Sequence, residues 1–291
     1  MPQRAAGCAL SALYPATVTL YRRCGYELAG GRYAIRLKPR DIGLLRRDCD
    51  VAPIGETDAA TVEQLYSAGA AQRNGYLDRN PFMWKRVREP LQAQPRGFAF
   101  LSDGVPEGYV YYVQRSPSTH DQQLDVLDLV VRSPRAAVGA LSFFADHRSL
   151  VNEIVWRSGP ADPLLMLLPE RHYRVELDIY WMLRIVHLPN AFEARGYPAG
   201  LTADLHLDVT DDLFDENSGR WIVSISDGRA SVRKGGEGRI RCDIRALAAL
   251  YAGFQSAEAL NMTGALACTA DDAATANAAF LGLPPSMADI F

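Results

Sequence analysis

The middle of the chain carries three strand-like runs, one proline-started helix and a fourth strand, and this order limits the possible folds more than any other feature. The strand-like runs are 97–101, 108–114 and 124–131, the last of which reads LDVLDLVV. Ser133-Pro134 has the signature of a helix start, and the helix is expected to reach about His147. Residues 152–156 follow as a strand. The β-β-β-α-β order predicts an α/β unit, because the helix has to cover one face of a sheet.

The front of the chain predicts part of another sheet. Residues 7–14 are apolar and stop at Pro15, as a buried strand would. Residues 17–24 favour a short helix, and Gly25 stands where a helix-terminating glycine belongs. The segment is completed by a strand that begins at Tyr26, a turn at Gly30-Gly31 and a strand over 32–38.

The last third of the chain predicts antiparallel strands followed by helices, which is an α+β arrangement. The strands are expected at 201–209, 220–226, 229–233 and 239–242, and the helices at 244–254 and 270–280. Before them lie a linker over 39–50 and helices predicted at 59–71 and 82–87. These patterns divide the chain into three parts, 1–38, 39–185 and 186–291.

Composition narrows the class of protein. The 291 residues are 48% hydrophobic and 22% charged, which is typical of a globular chain and excludes global disorder. No apolar run approaches the roughly 20 residues of a membrane span. Five cysteines at long spacings predict neither a zinc site nor a disulfide framework and suit a reducing cytoplasm.

Charge is unevenly spread along the chain. The net charge of −3 does not predict a nucleic-acid partner. Residues 1–50 nevertheless carry +5 and residues 201–291 carry −6. Two interpretations stay open: an anionic ligand at the front with a cationic one near the back, or ordinary variation between domains.

The standard catalytic motifs are missing from the sequence. It contains no P-loop, no G-x-G-x-x-G, no H-E-x-x-H and no G-x-S-x-G. The five histidines are scattered, so no metal site is predicted. The acidic stretch 208–216 lacks the alternating ligands of a calcium loop and is interpreted as a solvated hairpin turn before Arg220.

One motif at the front is more specific. Tyr21 to Tyr26 reads Y-x-x-x-G-Y. The motif begins on a predicted short helix, which follows one strand, and it ends where a second strand begins. This pattern resembles the last part of a GNAT-type acetyltransferase domain, in which the aromatic residue lies beside the acetyl-CoA sulfur. A phenol at that place can donate a proton to a departing thiolate. The alternative is a core tyrosine with a satisfied hydroxyl.

Motifs further along the chain extend the resemblance. Residues 183–197, with LRIV and then LPNAFEARGY, resemble the entry to the C-terminal domain of the enhanced intracellular survival (Eis) proteins. ISDGRA at 225–230, LAALYAG at 247–253 and the final Phe291 are similar to that family as well. The resemblance implies two GNAT-like domains, at 1–38 as a C-terminal remnant and at 39–185, followed by a domain like sterol carrier protein type 2 at 186–291.

The resemblance also implies site residues. Tyr21 falls on the family's general-acid tyrosine, and Phe291 on the terminal residue whose α-carboxylate acts as general base. A chain terminus is ionised at neutral pH; the alternative for Phe291 is a frayed end. Ala16 and Thr17 fall where the family's backbone touches the coenzyme. Two interpretations of Arg23 stay open: it contacts a phosphate, or it is an ordinary surface arginine.

The sequence departs from the family's pattern at its start. In the family, about a hundred residues precede the Gly7 strand, and they include the R-x-x-G-x-G/A turn that binds the coenzyme pyrophosphate. This turn is absent from the present sequence. We therefore expect this chain to be truncated or inactive as it stands. We also expect residues 1–38 to be poorly held unless a neighbouring element covers them.

Two functions stay open at this point. The first is an acetyl-CoA-dependent N-acetyltransferase for amines, either small polyamine- or aminoglycoside-like molecules or lysine side chains. The second is a non-catalytic binding module whose sterol-carrier-like domain holds an apolar ligand. The resemblance further implies a homo-oligomer, a hexamer in the family. We expect no metal, no nucleic-acid partner and no membrane span.

Overall fold

The computed structural model describes residues 7–43, 48–91, 93–118 and 121–290. Its strands, in chain order, are β1 Leu10–Leu13, β2 Glu27–Leu37, β3 Asp50–Pro53, β4 Arg96–Ser102, β5 Val105–Arg115, β6 Gln123–Val131, β7 Glu153–Ser158, β8 Arg174–Ile185, β9 Ala203–Thr210, β10 Gly219–Ser226, β11 Arg229–Lys234, β12 Ile240–Asp243 and β13 Leu266–Ala267. The α/β and α+β character expected from the sequence is confirmed.

Most of the helices match predicted segments, but the helix Ala257–Met262 was not predicted. In chain order they are α1 Val18–Arg22, α2 Ala59–Ala70, α3 Pro81–Arg88, α4 Pro134–Asp146, α5 Leu188–Ala194, α6 Ile244–Tyr251, α7 Ala257–Met262 and α8 Ala270–Phe280. In the described part of the chain, no helix is long and apolar enough to cross a membrane.

Side-chain caps explain where several helices begin. The side-chain Oδ1 of Asn80 accepts a hydrogen bond from the Met83 N–H, 3.0 Å away, at the start of α3. Ser133 caps α4, Asp243 caps α6 and Thr269 caps α8 in the same way. A capping oxygen satisfies an N–H that has no partner within the helix, so these polar residues fix the first turn.

The chain forms two compact units, and β2 and β8 are divided between them. The first unit comprises Met1–Gly31 and Ile179–Pro285. In it β1 pairs antiparallel with β8, with Leu10 opposite Ile185. A separate five-stranded sheet follows the order β11-β10-β9-β12-β13 and carries the sterol-carrier-like part of the sequence.

The second unit comprises Arg32–Asp178 and Ser286–Phe291. Its strands follow the order β8-β2-β7-β6-β5-β4-β3, with β6 and β7 parallel. Helix α4 covers one face of this sheet, where Phe144, Trp156 and Phe100 form the centre of a fully buried cluster. A smaller cluster around Tyr66 and Trp84 packs near α2 and α3. The β-β-β-α-β order predicted for 97–156 is confirmed.

The prediction of a turn at Gly30-Gly31 is wrong. Both glycines lie inside β2, a single strand of 11 residues. A Cβ on Gly30 would lie 2.6 Å from the Pro285 carbonyl oxygen and 2.6 Å from the Trp181 ring. Glycine is needed here because other atoms approach the backbone closely, and not because the chain reverses.

Within residues 1–38, strand β2 is covered by other elements, whereas β1 lies at the edge of its sheet. Strand β2 pairs with β7, with Ile35 opposite Trp156, and Ile35 and Leu37 are buried. Strand β1 is the outermost strand of its sheet among the described residues. The three-part division at 38 and 185 remains a prediction.

Candidate functional site

Tyr21 lies on the short helix α1, which follows β1 in the first unit. Thr17 precedes the helix in an extended conformation, with φ −150° and ψ 125°, and makes no side-chain cap. Ala16 and Thr17 are exposed, as is Arg23, which directly follows the last residue of the helix. The structure therefore brings four of the five predicted site residues into one segment of eight residues, 16–23.

A left-handed glycine ends α1 and turns the chain into β2. Gly25 has φ +79°, and the Tyr21 carbonyl oxygen accepts hydrogen bonds from the N–H groups of Cys24 (2.9 Å) and Tyr26 (3.2 Å). Only glycine adopts such a φ without strain. The prediction of Gly25 as the helix-terminating glycine is confirmed.

The phenol of Tyr21 lies beside a second, buried tyrosine. The Tyr21 ring is half-buried and meets the Tyr26 ring edge-on, with the ring centroids 5.8 Å apart. The Tyr26 hydroxyl lies 2.7 Å from the Ser11 hydroxyl, which belongs to β1. This contact joins β1 to the residue that directly precedes β2, and it holds the Tyr26 ring against which the Tyr21 ring packs.

A buried ion pair supports Gly25. The Arg184 side chain is 2% exposed, and its Nη2 lies 2.7 Å from both carboxylate oxygens of Asp211. A Cβ on Gly25 would lie 2.7 Å from Arg184 Cζ, so the guanidinium packs directly against the glycine. Arg184 Nε and Nη1 have no hydrogen-bond partner among the described residues.

Asp211 holds the loop between β9 and β10 as well as Arg184. Its Oδ1 accepts from the N–H groups of Leu213 (3.1 Å) and Phe214 (3.2 Å), and its Oδ2 accepts from Asn217 Nδ2 (2.8 Å). Strands β9 and β10 are antiparallel neighbours, so the hairpin predicted at 208–216 is confirmed. The expectation that the turn is solvated is wrong at Asp211, which is 4% exposed.

A cavity of about 440 Å³ opens beside α1 in the first unit. Arg23 and Gly25 line it together with Asp211, Asp212 and Arg245. A second cavity of about 920 Å³ in the same unit is lined by Leu28, Phe254, Leu260 and Met262 among other residues. Arg22 contributes to both cavities.

Two of the four arginines that line these cavities are paired with carboxylates. Arg22 Nη2 lies 2.6 Å from Glu27 Oε1, and the hydrogen bond to Glu27 raises the pKa of Arg22. Arg245 Nη2 lies 2.6 Å from Asp243 Oδ2. Each cavity is lined by three arginines and three carboxylates, so the local charge is balanced. Tyr21 suits the thioester end of a coenzyme, because a phenol is a proton donor.

The residues that lead to Phe291 belong to the second unit. Phe291 itself lies outside the described residues. Asp289 is 8% exposed and contacts Arg79, whose side chain is fully buried between Asp289 and Asp128. Burial alone would lower the pKa of Arg79, but the two carboxylates outweigh it and hold the pKa above its ordinary value.

Sequence reasoning missed both buried ion pairs. Arg184 and Asp128 are charged residues inside apolar strand sequences, and a lone charge in such a strand is a signal of a buried partner. Asp211 lies in the acidic stretch 208–216, where its sequence neighbours do not distinguish it from exposed carboxylates. Arg79 lies in a loop, where no apolar pattern indicates that a charge is buried. Within the described part of the chain, no group of three or more metal-ligating side chains is arranged to hold a metal ion.

The comparisons with known proteins agree with this architecture. Residues 75–185 match the acetyltransferase (GNAT) domain family, and residues 188–288 match the sterol carrier protein domain family. The N-acetyltransferase Eis of Mycobacterium tuberculosis is 26% identical over 272 residues, which is 87% of this chain and 64% of that protein. The chain thus spans about two thirds of the length of the curated relatives that it matches.

Solved structures extend the match to the whole chain. A GCN5-related N-acetyltransferase from Anabaena variabilis is 34% identical and superimposes with a TM-score of 0.95 over 100% of this chain and 75% of that one. Eis1 from Mycobacterium abscessus has the same fold, with a TM-score of 0.80 at 24% identity over 100% of this chain and 75% of that chain.

The fold and the two matched domains define an acetyltransferase architecture of the GNAT class with a sterol-carrier-type domain. The chain belongs to the GCN5-related N-acetyltransferase family and to its Eis-like members. The resemblance inferred from the front motif and the LPNAFEARGY segment is confirmed.

Proposed function

We propose that this protein takes part in acetyl-CoA-dependent N-acetyl transfer to amines. The acceptors are small polyamine- or aminoglycoside-like molecules, or lysine side chains. The observation that carries the proposal is the Tyr21 phenol, half-buried against Tyr26 on the helix between β1 and β2, in a chain of this family. Acidic residues in the last third of the chain suit a cationic acceptor.

The chemistry requires one proton donor and one proton acceptor. Acetyl-CoA, when bound, supplies the acetyl group as a thioester. Tyr21 donates the proton of its hydroxyl to the sulfur that leaves. The terminal carboxylate of Phe291 accepts the proton that the amine loses. Ala16 and Thr17 offer backbone groups to the coenzyme, and Arg23 offers a cation beside it.

The proposal is tested with the 291-residue chain itself. Acetyl-CoA is titrated by calorimetry, and thiol release is followed with spermidine, kanamycin and a lysine peptide as acceptors. We expect Tyr21→Phe to lower kcat at least tenfold while the protein stays folded. Tyr180→Phe is the matched control, at a tyrosine that is 37% exposed in the same unit. Full activity of Tyr21→Phe would contradict the role of Tyr21. A folded wild type without binding and transfer would contradict the proposed function for this chain and support the expectation that it is truncated or inactive as it stands.

A second candidate function rests on the larger cavity of the first unit. This cavity of about 920 Å³ has apolar walls from Leu28, Phe254 and Leu260 in addition to its charged rim. Such a cavity suits an amphipathic or apolar ligand. Displacement of a fluorescent fatty-acyl probe tests this function, and Leu260→Asp is expected to weaken the probe's binding. Probe binding without any acetyl transfer would favour this second function over the first.

The homo-oligomer implied by the resemblance is part of the proposal. Sedimentation velocity of the chain at several concentrations decides it. A hexamer is the expected species, and a monomer at all concentrations would contradict it.

A further inference from the structure

The last described residues of the chain are held at successive points. In the first unit the Gly31 N–H donates to the Pro285 carbonyl oxygen at 3.2 Å. In the second unit the Ser286 N–H donates to the Asn74 carbonyl oxygen at 3.0 Å. The Met287 side chain is 2% exposed, so it is buried among other atoms of the protein. Chain ends usually fray unless such contacts tie them down.

The last of these contacts is an ion pair between Arg79 and Asp289, two residues before Phe291. Arg79 Nε lies 3.1 Å and 3.0 Å from the two carboxylate oxygens of Asp289. On its other side, Arg79 Nη1 lies 2.5 Å from Asp128 Oδ2, and Arg79 Nη2 lies 3.1 Å from Asp128 Oδ1. The guanidinium thus makes bidentate contacts with two carboxylates at once, which fixes direction as well as distance.

Aromatic side chains enclose this arginine. The Arg79 guanidinium carbon lies 3.8 Å from the centroid of the Tyr66 ring and 4.9 Å from that of Trp84. The Tyr66 hydroxyl lies 3.3 Å from Asp289 Oδ2, and the Tyr109 hydroxyl donates to Asp128 Oδ2 at 2.7 Å. The carboxylates therefore have little freedom to move relative to the sheet. Removing one partner would leave charge buried without compensation.

We propose that Arg79 and Asp289 form an anchor for the C-terminal segment, and that Asp289 is a positioning residue for the terminal carboxylate of Phe291. One residue, Ile290, separates Asp289 from Phe291 in the sequence, so chain geometry alone limits the distance between their Cα atoms to roughly 7 Å. The positioning role rests on the proposed function, because it needs Phe291 to act as the base. The anchor itself does not depend on catalysis.

The anchor is tested by digestion of the full chain with carboxypeptidase Y. In the wild type we expect release of Phe291 and Ile290, followed by a pause at Asp289. Asp289→Asn should release Ala288 and Met287 at least tenfold faster. Asp78→Asn is the matched control, because Asp78 is adjacent to Arg79 but exposed. Equal digestion of Asp289→Asn and the wild type would overturn the anchor.

The positioning role is tested by kinetics on variants that far-ultraviolet circular dichroism shows to be folded. Asp289→Asn is expected to lower kcat for thiol release at least tenfold while KM for acetyl-CoA stays within twofold, and Asp289→Glu should restore part of kcat. Unchanged kcat together with faster digestion would overturn positioning and keep the anchor. A wild type without transfer would refute the proposed function and the positioning role together, and the digestion result would still decide the anchor.

Discussion

At the scale of single residues, the turn between α1 and β2 depends on a glycine and an arginine that touch. Gly25 has a positive φ, and the Arg184 guanidinium occupies the space where a side chain would begin. Arg184 cannot withdraw without leaving Asp211, because the pair is buried. The position of Tyr21 therefore depends on residues that do no chemistry themselves.

Gly25→Ala should lower the free energy of unfolding by about 2 kcal/mol. A residue with a Cβ resists the left-handed conformation at a cost of roughly 1–2 kcal/mol, and the contact with Arg184 adds to it. Urea unfolding followed by tryptophan fluorescence measures the change. Gly196→Ala is the matched control, since no atom lies within 4 Å of its new Cβ. A Gly25→Ala protein as stable as Gly196→Ala would contradict the prediction.

Asp211→Asn should be among the most damaging conservative substitutions in the first unit. It leaves the charge of Arg184 buried without a counter-charge, which costs about 3–5 kcal/mol. Chemical denaturation measures the loss, with Asp212→Asn at an exposed position as the control. The double variant Arg184→Met with Asp211→Asn should be more stable than the sum of the single losses predicts. Additive losses would show that the two side chains do not act as a pair.

At the scale of helices and strands, the sequence predicts best where a local signal sets a boundary. Helix α8 was predicted at 270–280 and spans Ala270–Phe280, because Thr269 supplies the cap for its first turn. Strand β2 shows the opposite case, in which two glycines indicated a turn. The Pro285 carbonyl that makes Gly30 necessary comes from a residue about 250 positions away, and local sequence carries no trace of it.

Helix α6 should make the protein sensitive to alkaline pH through Tyr251. Burial raises the pKa of Tyr251 from 10.0 to about 12, and its hydroxyl donates to the Ala191 carbonyl oxygen at 2.9 Å. The unfolded chain loses this proton near pH 10 and the folded chain only near 12. The associated stability, at most about 2.7 kcal/mol, is fully present below pH 10 and is lost as pH rises towards 12.

Tyr251→Phe removes this contribution. The free energy of unfolding, measured by urea at intervals from pH 8 to 11, should fall less steeply above pH 10 in the variant than in the wild type. The variant should also be less stable at pH 8, by about 1 kcal/mol, because it lacks the hydrogen bond. Parallel pH curves for the two proteins would show that Tyr251 does not titrate as burial requires.

At the scale of the whole molecule, the sequence predicted the order of the parts along the chain. It did not predict that each compact unit combines segments that are far apart in sequence. The motifs around Tyr21 and at 188–197 were enough for the family, because they are local. The segment Ser286–Phe291 falls in the second unit, although its neighbours in sequence fall in the first. Only tertiary contacts, such as that of Asp289 with Arg79, reveal this assignment. The four site residues proposed at 16–23 belong to the same short motif that indicated the family, and their roles remain a prediction.

Truncation after Pro285 should loosen one part of the second unit selectively. Without Asp289, Arg79 loses one of its two carboxylate partners, and the Tyr66 hydroxyl loses a hydrogen-bond partner. Hydrogen exchange followed by mass spectrometry should show at least tenfold faster exchange in peptides covering 64–80. Peptides covering 219–234, which belong to the first unit, should exchange as in the wild type. Uniform acceleration throughout the chain would contradict the prediction.

The late position of the anchoring segment has a consequence for how the protein is made. Ribosomes synthesise Arg79 and Asp128 early, but Asp289 emerges more than a hundred residues after the rest of its unit. At roughly 5–20 residues per second, the arginine waits on the order of 10 s or more for its second carboxylate. For that interval Asp128 is the only one of the two counter-charges available to Arg79, and the second unit gains its last contacts only after Asp289 has left the ribosome.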